Sequence, residues 1–311
     1  MKNILKTSFL LASIAVLAAC NGGETEEKEQ PSKEESVSAF PVTLTDAIGN
    51  EVTIENEPER IITLSPVITE ILFELDLGDQ VVGVTDNDNY PEEVKELPSV
   101  GDMEFSAEQV IALEPDLVLA HESSMYATEP MMDQLNSAGI KVFVVDNAES
   151  IEATYDTFEV IGELTGNEDE AKQLVEDVQK EIATVQAKVE GLEQRSTFIV
   201  VGVEPDIYVV GQQNYMNDML NLIGVKNLVE EPGWVKYSAE DFVASNPDSM
   251  LFTYASNVEE VANNTVFNEM KAVKENNLKL IDSDTTSRQG PRIAQGLESM
   301  AKAIYPEAFN E

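Results

Sequence analysis

The chain has 311 residues, with 59 acidic against 19 basic side chains, and its formal net charge at pH 7 is −40. So acidic a surface repels a phosphate backbone and excludes nucleic acid as a partner. We interpret the bulk charge as adaptation to a salty or alkaline medium. The single cysteine, Cys20, excludes an internal disulfide framework and a cysteine metal site.

Residues 1–20 are predicted to be a lipoprotein signal peptide. Lys2 and Lys6 form a basic start, and the apolar stretch that follows is too short to span a bilayer as a helix. It ends in Leu-Ala-Ala directly before Cys20, the pattern in which the cysteine is lipidated and becomes the new N-terminus. A plain secretory signal with a chance cysteine is the alternative. Removal of the signal leaves a net charge of about −42.

Residues 21–39 are predicted to be a disordered acidic tether. The segment from Gly22 to Pro31 contains no apolar side chain that could be buried. An anchored leash of this kind suits a protein held outside a single membrane, so we favour a Gram-positive source. The prediction is therefore a chain that is held at the extracellular face of the cell membrane by lipid alone.

The first lobe is predicted to span residues 40–166 and to be an α/β unit. Two strand-like segments, Thr43–Asp46 and Glu51–Ile54, flank Gly49-Asn50 and indicate a hairpin. Strands alternating with helices then predict a mostly parallel sheet covered by helices. The predicted strands are Ile61–Thr63, Val81–Val84, Leu117–Ala120 and Lys141–Val145. Three helices are predicted in this lobe. The first begins at Pro66 and ends by Gly78, the second begins after Ser106, and the third runs from Pro130 to Ala138.

Residues 167–192 are predicted to connect this lobe to a second one. Apolar residues recur at helical spacing from Glu168 to Val189 without glycine or proline, which predicts a helix about 35 Å long. Residues 193–311 resume the α/β pattern and form the second lobe. The predicted fold is two Rossmann-like α/β lobes joined by one long rigid α-helix. The second-lobe strands are expected at Thr197–Val201, Ile207–Val210, Met250–Thr253 and Leu278–Ile281.

One short phrase occurs once in each predicted lobe. Ser106-Ala107-Glu108 precedes Glu114-Pro115-Asp116, and Ser238-Ala239-Glu240 precedes Asn246-Pro247-Asp248 at the same distance. Two copies with a long period indicate a pair of similar lobes rather than a solenoid. Each Glu is expected at the second position of a helix, exposed and favoured by the helix dipole. Acids in the first helical turn are also common for purely structural reasons.

Several short segments along the chain form a recognisable set. They are Arg60–Pro66 with Thr69-Glu70, Val82–Val84 before Tyr90-Pro91, Val100-Gly101, Glu114–Val118, Gly211 with Asp218–Leu220, and Gly290–Ile293. Together they resemble the substrate-binding lipoproteins of bacterial importers for iron complexes and cobalamin, and the resemblance covers residues 41 to 306. It implies a monomer that captures a metal-chelate small molecule between two lobes. An ABC permease and its ATPase would then be the partners, and the chain would need no cofactor or metal of its own.

The resemblance also implies site residues. In that family a surface glutamate of each lobe docks onto an arginine of the permease, and these glutamates fall on Glu108 and Glu240. The ligand is expected between the lobes, at loops that follow strands. Arg292 is expected to have a structural role. The candidate ligand-binding residues are Tyr90, Phe105, His121, Tyr215, Trp234, Asp284 and Arg288, of which Trp234, Asp284 and Arg288 match pocket positions of cobalamin-binding relatives.

Departures from the family leave the ligand open. Where cobalamin binders place first-lobe aromatics, this chain has Asn87, Asp102 and His121. The scarcity of basic residues disfavours a highly anionic siderophore. We favour a corrinoid narrowly over a neutral or cationic ferric siderophore, with haem, axially bound by His121, as an alternative. A lipid-anchored hydrolase and an adhesive surface lipoprotein remain as other classes, although the chain carries no catalytic motif and is predicted not to be an enzyme.

Overall fold

The computed structural model describes residues 39–102 and 104–309, and the first lobe begins there with a β-hairpin. β1 (Val42–Thr45) and β2 (Glu51–Ile54) pair antiparallel. Asp46 shapes the turn by accepting hydrogen bonds from the amides of Ile48 and Asn50 at 3.1 and 2.7 Å. The predicted hairpin is therefore confirmed. The predicted signal peptide with Cys20, and the tether up to residue 38, lie outside the described residues.

A four-stranded parallel sheet with its helices follows. The elements are β3 (Ile61–Thr63), α1 (Pro66–Glu74), β4 (Val81–Gly83), α2 (Ala107–Ala112), β5 (Leu117–His121), α3 (Met125–Ser137), β6 (Lys141–Val145) and α4 (Ile151–Thr165). The strand order is β4-β3-β5-β6, and every neighbouring pair is parallel. The middle strands, β3 and β5, are buried along their whole length, as expected for a sheet with helices on both faces. The parallel sheet predicted for this lobe is therefore confirmed.

Two helix boundaries differ from the prediction. α1 ends at Glu74, before the predicted Gly78, because Asp76 adopts a left-handed conformation at φ 59° that ends the helix. α3 begins at Met125, five residues before Pro130. Proline lacks an amide hydrogen but can be accommodated one turn into a helix at the cost of one intrahelical hydrogen bond. It is therefore a poor marker of the first residue.

The connecting helix is confirmed at its predicted bounds. α5 runs from Glu168 to Val189 and buries one face, while its first turn carries three acids that complement the helix dipole. It packs closely on α4, because a Cβ atom on Gly162 would lie 2.5 Å from the Cβ of Ala171. One continuous hydrophobic cluster includes Phe158 of the first lobe, Ile182 of α5 and Leu297 of the second lobe. The lobes thus share a core through this helix. None of the helices between residues 39 and 309 has the length and apolar character needed to cross a bilayer.

The second lobe contains a mixed sheet. Its elements are β7 (Ser196–Gly202), β8 (Ile207–Val210), α6 (Tyr215–Leu222), β9 (Lys226–Asn227), β10 (Trp234–Tyr237), α7 (Ala239–Ser245), β11 (Ser249–Phe252), α8 (Ala255–Asn263), α9 (Lys271–Lys274), β12 (Leu278–Leu280), α10 (Ser283–Ser287) and α11 (Ile293–Ile304). The strand order is β10-β8-β7-β11-β12, with β9 also paired to β7. β8 is antiparallel to β7 and to β10, because four residues between β7 and β8 are too few for a parallel crossover. The parallel pairs are β7 with β9, β7 with β11, and β11 with β12.

The repeated phrase forms the same helix start in both lobes. Ser106 is the N-cap of α2, and its hydroxyl accepts a hydrogen bond from the amide of Gln109 at 3.3 Å. Ser238 caps α7 in the same way, accepting from the amide of Asp241 at 3.0 Å. These caps satisfy amides that the first helical turn leaves free. Both helices are followed by a residue in the left-handed region, Glu114 at φ 50° and Asn246 at φ 42°.

The aspartate of each Pro-Asp pair ties its strand to the neighbouring strand. The Asp116 carboxylate accepts from the amide of Arg60 at 3.2 Å, at the start of β3. The Asp248 carboxylate accepts from the amide and the hydroxyl of Ser196 at 2.8 and 2.7 Å, at the start of β7. The repeat therefore encodes a structural helix-to-strand connection in addition to its exposed glutamate.

This aspartate makes the stability of the second lobe dependent on pH. Burial acts to raise the pKa of Asp248, but hydrogen bonds from Lys271 and Ser196 outweigh it and hold the pKa at about 2, below the ordinary 3.8. A depressed carboxyl pKa stabilises the fold above the unfolded-state pKa, and that contribution is lost as the pH falls through about 2. We expect Asp248→Asn to lower the free energy of unfolding by about 1 kcal/mol at pH 6, after allowance for solvent screening.

Urea unfolding at pH 6 and at pH 2.5 checks this prediction. The loss of unfolding free energy caused by Asp248→Asn should be smaller at pH 2.5 than at pH 6. Asp133→Asn, at an exposed acid of α3, should have little effect at either pH. An equal deficit of Asp248→Asn at both pH values would mean that the charge of Asp248 contributes nothing.

Candidate functional site: the boundary between the lobes

The lobes meet where the loop after β4 contacts the segment around α10. The Asn89 amide donates to Asp284 at 2.7 Å. The Arg288 guanidinium donates to the Asn89 side chain at 2.9 Å and to the Asn87 carbonyl at 3.2 Å, and it pairs with Asp284 at 3.1 Å. Asp284 and Arg288, both predicted as ligand-binding residues, are therefore neighbours at this boundary. Their polar atoms already bind the other lobe.

The loop after β4 owes its shape to Asp88. One Asp88 carboxylate oxygen accepts from the amide and the hydroxyl of Thr85 at 2.8 and 2.6 Å. The other carboxylate oxygen is buried and has no hydrogen-bond partner among the described residues. Burial raises the pKa of the Asp88 carboxyl. The resulting turn presents Asn87, Asn89 and Tyr90 to the second lobe.

Glu70 binds both arginines of this boundary. Arg292 donates to the two carboxylate oxygens at 2.9 and 2.6 Å, and Arg288 donates to one of them at 2.7 Å. Burial disfavours the charge of Arg292, but its hydrogen bonds to Glu70 outweigh this and keep the guanidinium pKa above its usual range. Both arginines are thus neutralised by the protein itself. Arg292 has the structural contacts that the sequence led us to expect.

Tyr90 lies on the same boundary. The guanidinium carbon of Arg292 lies 4.1 Å from the centroid of the Tyr90 ring, a cation–π contact, and 37% of Tyr90 is exposed. The structure therefore brings Tyr90, Asp284 and Arg288 together, as three of the seven predicted ligand residues. Beside them, Arg292 also lines a groove of about 720 Å³ between α1, α5 and the start of α11 that carries several carboxylates.

His121 is a buried capping residue at the end of β5. Only 5% of it is exposed, and its Nδ1 atom lies 2.7 Å from the Ser123 hydroxyl and accepts from the Ser123 amide. Burial lowers the pKa of the imidazole, with an opposing effect from the charge of Asp146. His121 is thus a buried residue whose Nδ1 is engaged with its own loop, and its predicted role in ligand binding stays a prediction.

Tyr215 also differs from the expectation. It is 3% exposed, and its hydroxyl donates to the carbonyl of Thr286 in α10. Burial raises the pKa of this phenol well above its ordinary value. Tyr215 therefore packs beneath the surface and holds α10, the helix that carries Asp284. It does not itself reach the surface of the boundary. Phe105 is half-buried and packs against the first-lobe core.

Trp234 lies on the outer face of an edge strand. It begins β10 opposite Val210, 56% of it is exposed, and Gly233 before it takes φ 74°. No hydrogen bond, ion pair or ring contact within the described residues joins Trp234 to Tyr90, Asp284 or Arg288. The ring is thus held by a strand and is free to act as an apolar surface.

Two residues of interest were missed from the sequence. Tyr254 is the second residue after β11 and the N-cap residue of α8, and it is 58% exposed; an aromatic residue just after a buried strand was the available signal. Glu70 is a buried acid of α1, whose other acid, Glu74, is exposed, and the signal was a charge among apolar helical positions. Among the described residues, no group of three or more His, Cys, Asp or Glu side chains is arranged to hold a metal ion.

The two predicted docking acids are equivalent in the structure. Glu108 and Glu240 are each the second residue of a short helix, α2 and α7, and both are exposed. Neither carboxylate forms an ion pair with a described residue. Each is therefore available to a cationic partner, and the positive end of the helix dipole favours the ionised form.

Comparisons with known proteins decide the family. Residues 61–285 match the model of a family described as periplasmic binding protein. The chain belongs to this family. Its members are solute-binding proteins and not enzymes, so this periplasmic binding protein is not the hydrolase kept as an alternative above.

Relatives extend along the whole chain. It is 42% identical over 306 residues to YvrC of Bacillus subtilis (strain 168), an uncharacterised ABC transporter substrate-binding lipoprotein, covering 97% of each chain. A cobalamin-binding protein of Halobacterium salinarum is 25% identical over 313 residues, covering 96% of this chain and 84% of the relative.

A solved structure supports the two-lobed fold. It is that of a possible iron-binding (periplasmic solute-binding) protein of Staphylococcus epidermidis, which superposes with a TM-score of 0.76 at 36% identity. The match covers 80% of this chain and all of that one. The predicted pair of α/β lobes joined by a helix is thereby confirmed.

Proposed function

We propose that the protein is the substrate-binding component of an ABC importer and delivers a cobalamin-type or ferric-siderophore metal complex to a permease. A separate ATPase drives transport. The observation that carries the proposal is the pair of equivalent exposed glutamates at the starts of α2 and α7, neither of which forms an ion pair with a described residue. One binding protein can bridge the two halves of a permease with such a pair. Similarity to the ABC transporter lipoprotein YvrC along the whole chain supports it.

The boundary between the lobes favours a ligand with little negative charge. Arg288 and Arg292 are the basic residues there, and Glu70 binds both. An anionic ligand would have to compete with a buried carboxylate for them, in the field of a strongly acidic protein. A neutral corrinoid or a neutral or cationic ferric siderophore meets no such obstacle.

Between a corrinoid and a ferric siderophore, the exposed aromatic rings of the protein favour the corrinoid. Trp234 and Tyr254 on the second lobe and Tyr90 on the first offer apolar faces to a large ring system. Amide groups at the rim of such a ligand can bind Asn87, Asn89 and Asp284. Haem is the less favoured ligand, because His121, its proposed axial ligand, is 5% exposed.

Anchoring by lipid at Cys20 completes the proposal. The residue itself lies outside the described part of the chain, and support comes from the signal-like sequence before it and from the lipoprotein YvrC. A lipidated N-terminus followed by the acidic tether would hold the binding lobes at the extracellular face of the membrane, within reach of the permease.

A gene-deletion experiment tests import and anchoring together. Cells that lack the protein should lose uptake of one radiolabelled metal complex, and the wild-type gene should restore it. Cys20→Ala should restore it poorly and leave the protein outside the membrane fraction, whereas the nearby Ser32→Ala should behave as wild type. Unchanged uptake of labelled cobalamin and of every ferric chelate after deletion would contradict the import proposal. A mature wild-type protein with an unmodified N-terminus would contradict only the anchor.

A further inference from the structure

A single buried carboxylate of the first lobe binds two arginines of the second lobe at their boundary. The Glu70 side chain is 1% exposed, and the Arg288 and Arg292 side chains that bind it are 14% and 13% exposed. Glu70 lies on α1 of the first lobe, while Arg288 follows α10 and Arg292 precedes α11 in the second. We call these three residues the interlobe clasp. The clasp is independent of α5, which joins the lobes covalently.

The geometry of the clasp is specific. Arg292 binds Glu70 with two parallel hydrogen bonds, from Nε to Oε2 at 2.9 Å and from Nη2 to Oε1 at 2.6 Å. Planar, two-pronged pairing of this kind fixes direction as well as distance. Arg288 adds a third charge-assisted bond to Oε1 at 2.7 Å. A shift of either lobe by about an ångström would break at least one of these bonds.

Burial of the charged Glu70 carboxylate costs free energy, so its retention at this boundary calls for a physical reason. A charged carboxylate in an otherwise apolar face loses its hydration, and apolar residues of similar size often serve stability equally well. Its neighbours on α1, Ile68, Ile71 and Leu72, are completely buried and show what the helix otherwise uses there. A buried, directional ion pair can fix one relative position of the two lobes, which a non-directional apolar contact does not do.

The clasp also determines where Arg288 points. From Glu70 the Arg288 guanidinium continues to the Asn89 side chain and the Asn87 carbonyl of the first lobe, and to Asp284 of its own lobe. Asn89 closes the network by donating to Asp284 at 2.7 Å. Glu70 therefore orders the very polar groups that line the boundary, without being exposed to a ligand itself.

We propose that Glu70 is the positioning residue of the interlobe site: it fixes the distance between the lobes and orients Arg288 before any ligand is present. A site preorganised in this way loses less conformational freedom when it binds. Removal of the Glu70 charge leaves two largely buried guanidinium groups without the carboxylate they share, so the lobes should separate there. The shared core around α5 should keep each lobe folded.

Spin-label distances between the lobes test the proposal without any ligand. Labels are placed at Asp133→Cys in α3 and Glu259→Cys in α8, both exposed, in the full chain carrying Cys20→Ser. In the otherwise wild-type chain we expect one narrow distance distribution. Glu70→Gln should shift it and make it roughly twofold wider. Glu159→Gln, at an exposed acid of α4 in the first lobe, should leave it unchanged.

The outcomes separate positioning from mere stabilisation. A residue that only stabilises α1 would lower the melting temperature of Glu70→Gln without changing the distance distribution of the folded protein, and that result would overturn the proposal. If Glu70→Gln does not fold, Arg292→Gln decides, because it removes two bonds of the clasp and leaves the Glu70–Arg288 pair and the other contacts of Arg288 intact. It should broaden the distribution, and an unchanged distribution would equally overturn the proposal. Neither result depends on which ligand the protein binds.

Discussion

Replacement of both Glu108 and Glu240 by alanine should abolish uptake of the bound complex and leave its affinity for the isolated protein near that of the wild type. Each single variant should reduce uptake partially. Both carboxylates are exposed and unpaired within the described residues, at the starts of α2 and α7. Their loss therefore removes two contacts to a cationic surface without disturbing the core or the lobe boundary.

A matched double variant controls for the change in net charge. Asp133→Ala with Glu259→Ala also removes one exposed acid from each lobe, from α3 and α8. This pair should retain uptake. The docking assignment would be wrong if Glu108→Ala with Glu240→Ala weakened ligand binding tenfold or more, which corresponds to about 1.4 kcal/mol. It would also be wrong if the control pair lost uptake to the same degree.

Trp234→Ala should weaken ligand binding by about 2 kcal/mol, or roughly thirtyfold, because a large exposed ring that packs against a ligand is a typical hot spot. Trp234→Phe should retain most of the affinity, since it keeps an aromatic face on the same strand. Isothermal titration of the purified protein measures both. Val266→Ala, at a residue 55% exposed in the same lobe, is the control and should bind as the wild type does.

Comparison of Trp234→Ala with Arg288→Ala separates the apolar contribution to ligand binding from the charged one. Arg288 is bound by Glu70 and by the loop after β4, so its direct contribution to the ligand should be smaller than that of Trp234. A greater loss of affinity from Arg288→Ala than from Trp234→Ala would show that charge rather than apolar contact dominates binding.

The elements of the fold could be predicted where one physical signal dominates. Apolar residues at helical spacing from Ala171 to Val189 gave α5 at its true bounds, because no glycine or proline interrupts the pattern. Glycine and proline were less reliable at helix ends. Gly78 lies beyond the end of α1, and Pro130 lies inside α3. The helix ends depend instead on left-handed residues such as Asp76 and on local turns.

The site could be predicted only in part, because burial is a property of the tertiary structure. Sequence placed Asp284 and Arg288 at the lobe boundary, but it gave no indication that Glu70 on a distant helix binds Arg288. His121 and Tyr215 follow the pattern of lining residues in sequence, yet packing buries both. The repeated phrase was informative for two reasons at once, as a structural connection and as the carrier of the exposed glutamates.

The most direct test of the account is a titration of Trp234 fluorescence, which reports on this position alone because the chain contains one tryptophan. Cyanocobalamin, haem, a cationic hydroxamate ferric siderophore and a triply anionic ferric catecholate are each added to the full chain, with Trp234→Phe as the blank. We predict saturable quenching by cyanocobalamin, or failing that by the cationic siderophore, and none by the catecholate. Tight binding of the triply anionic catecholate without any response to cobalamin would contradict both the ligand class and the charge argument that supports it.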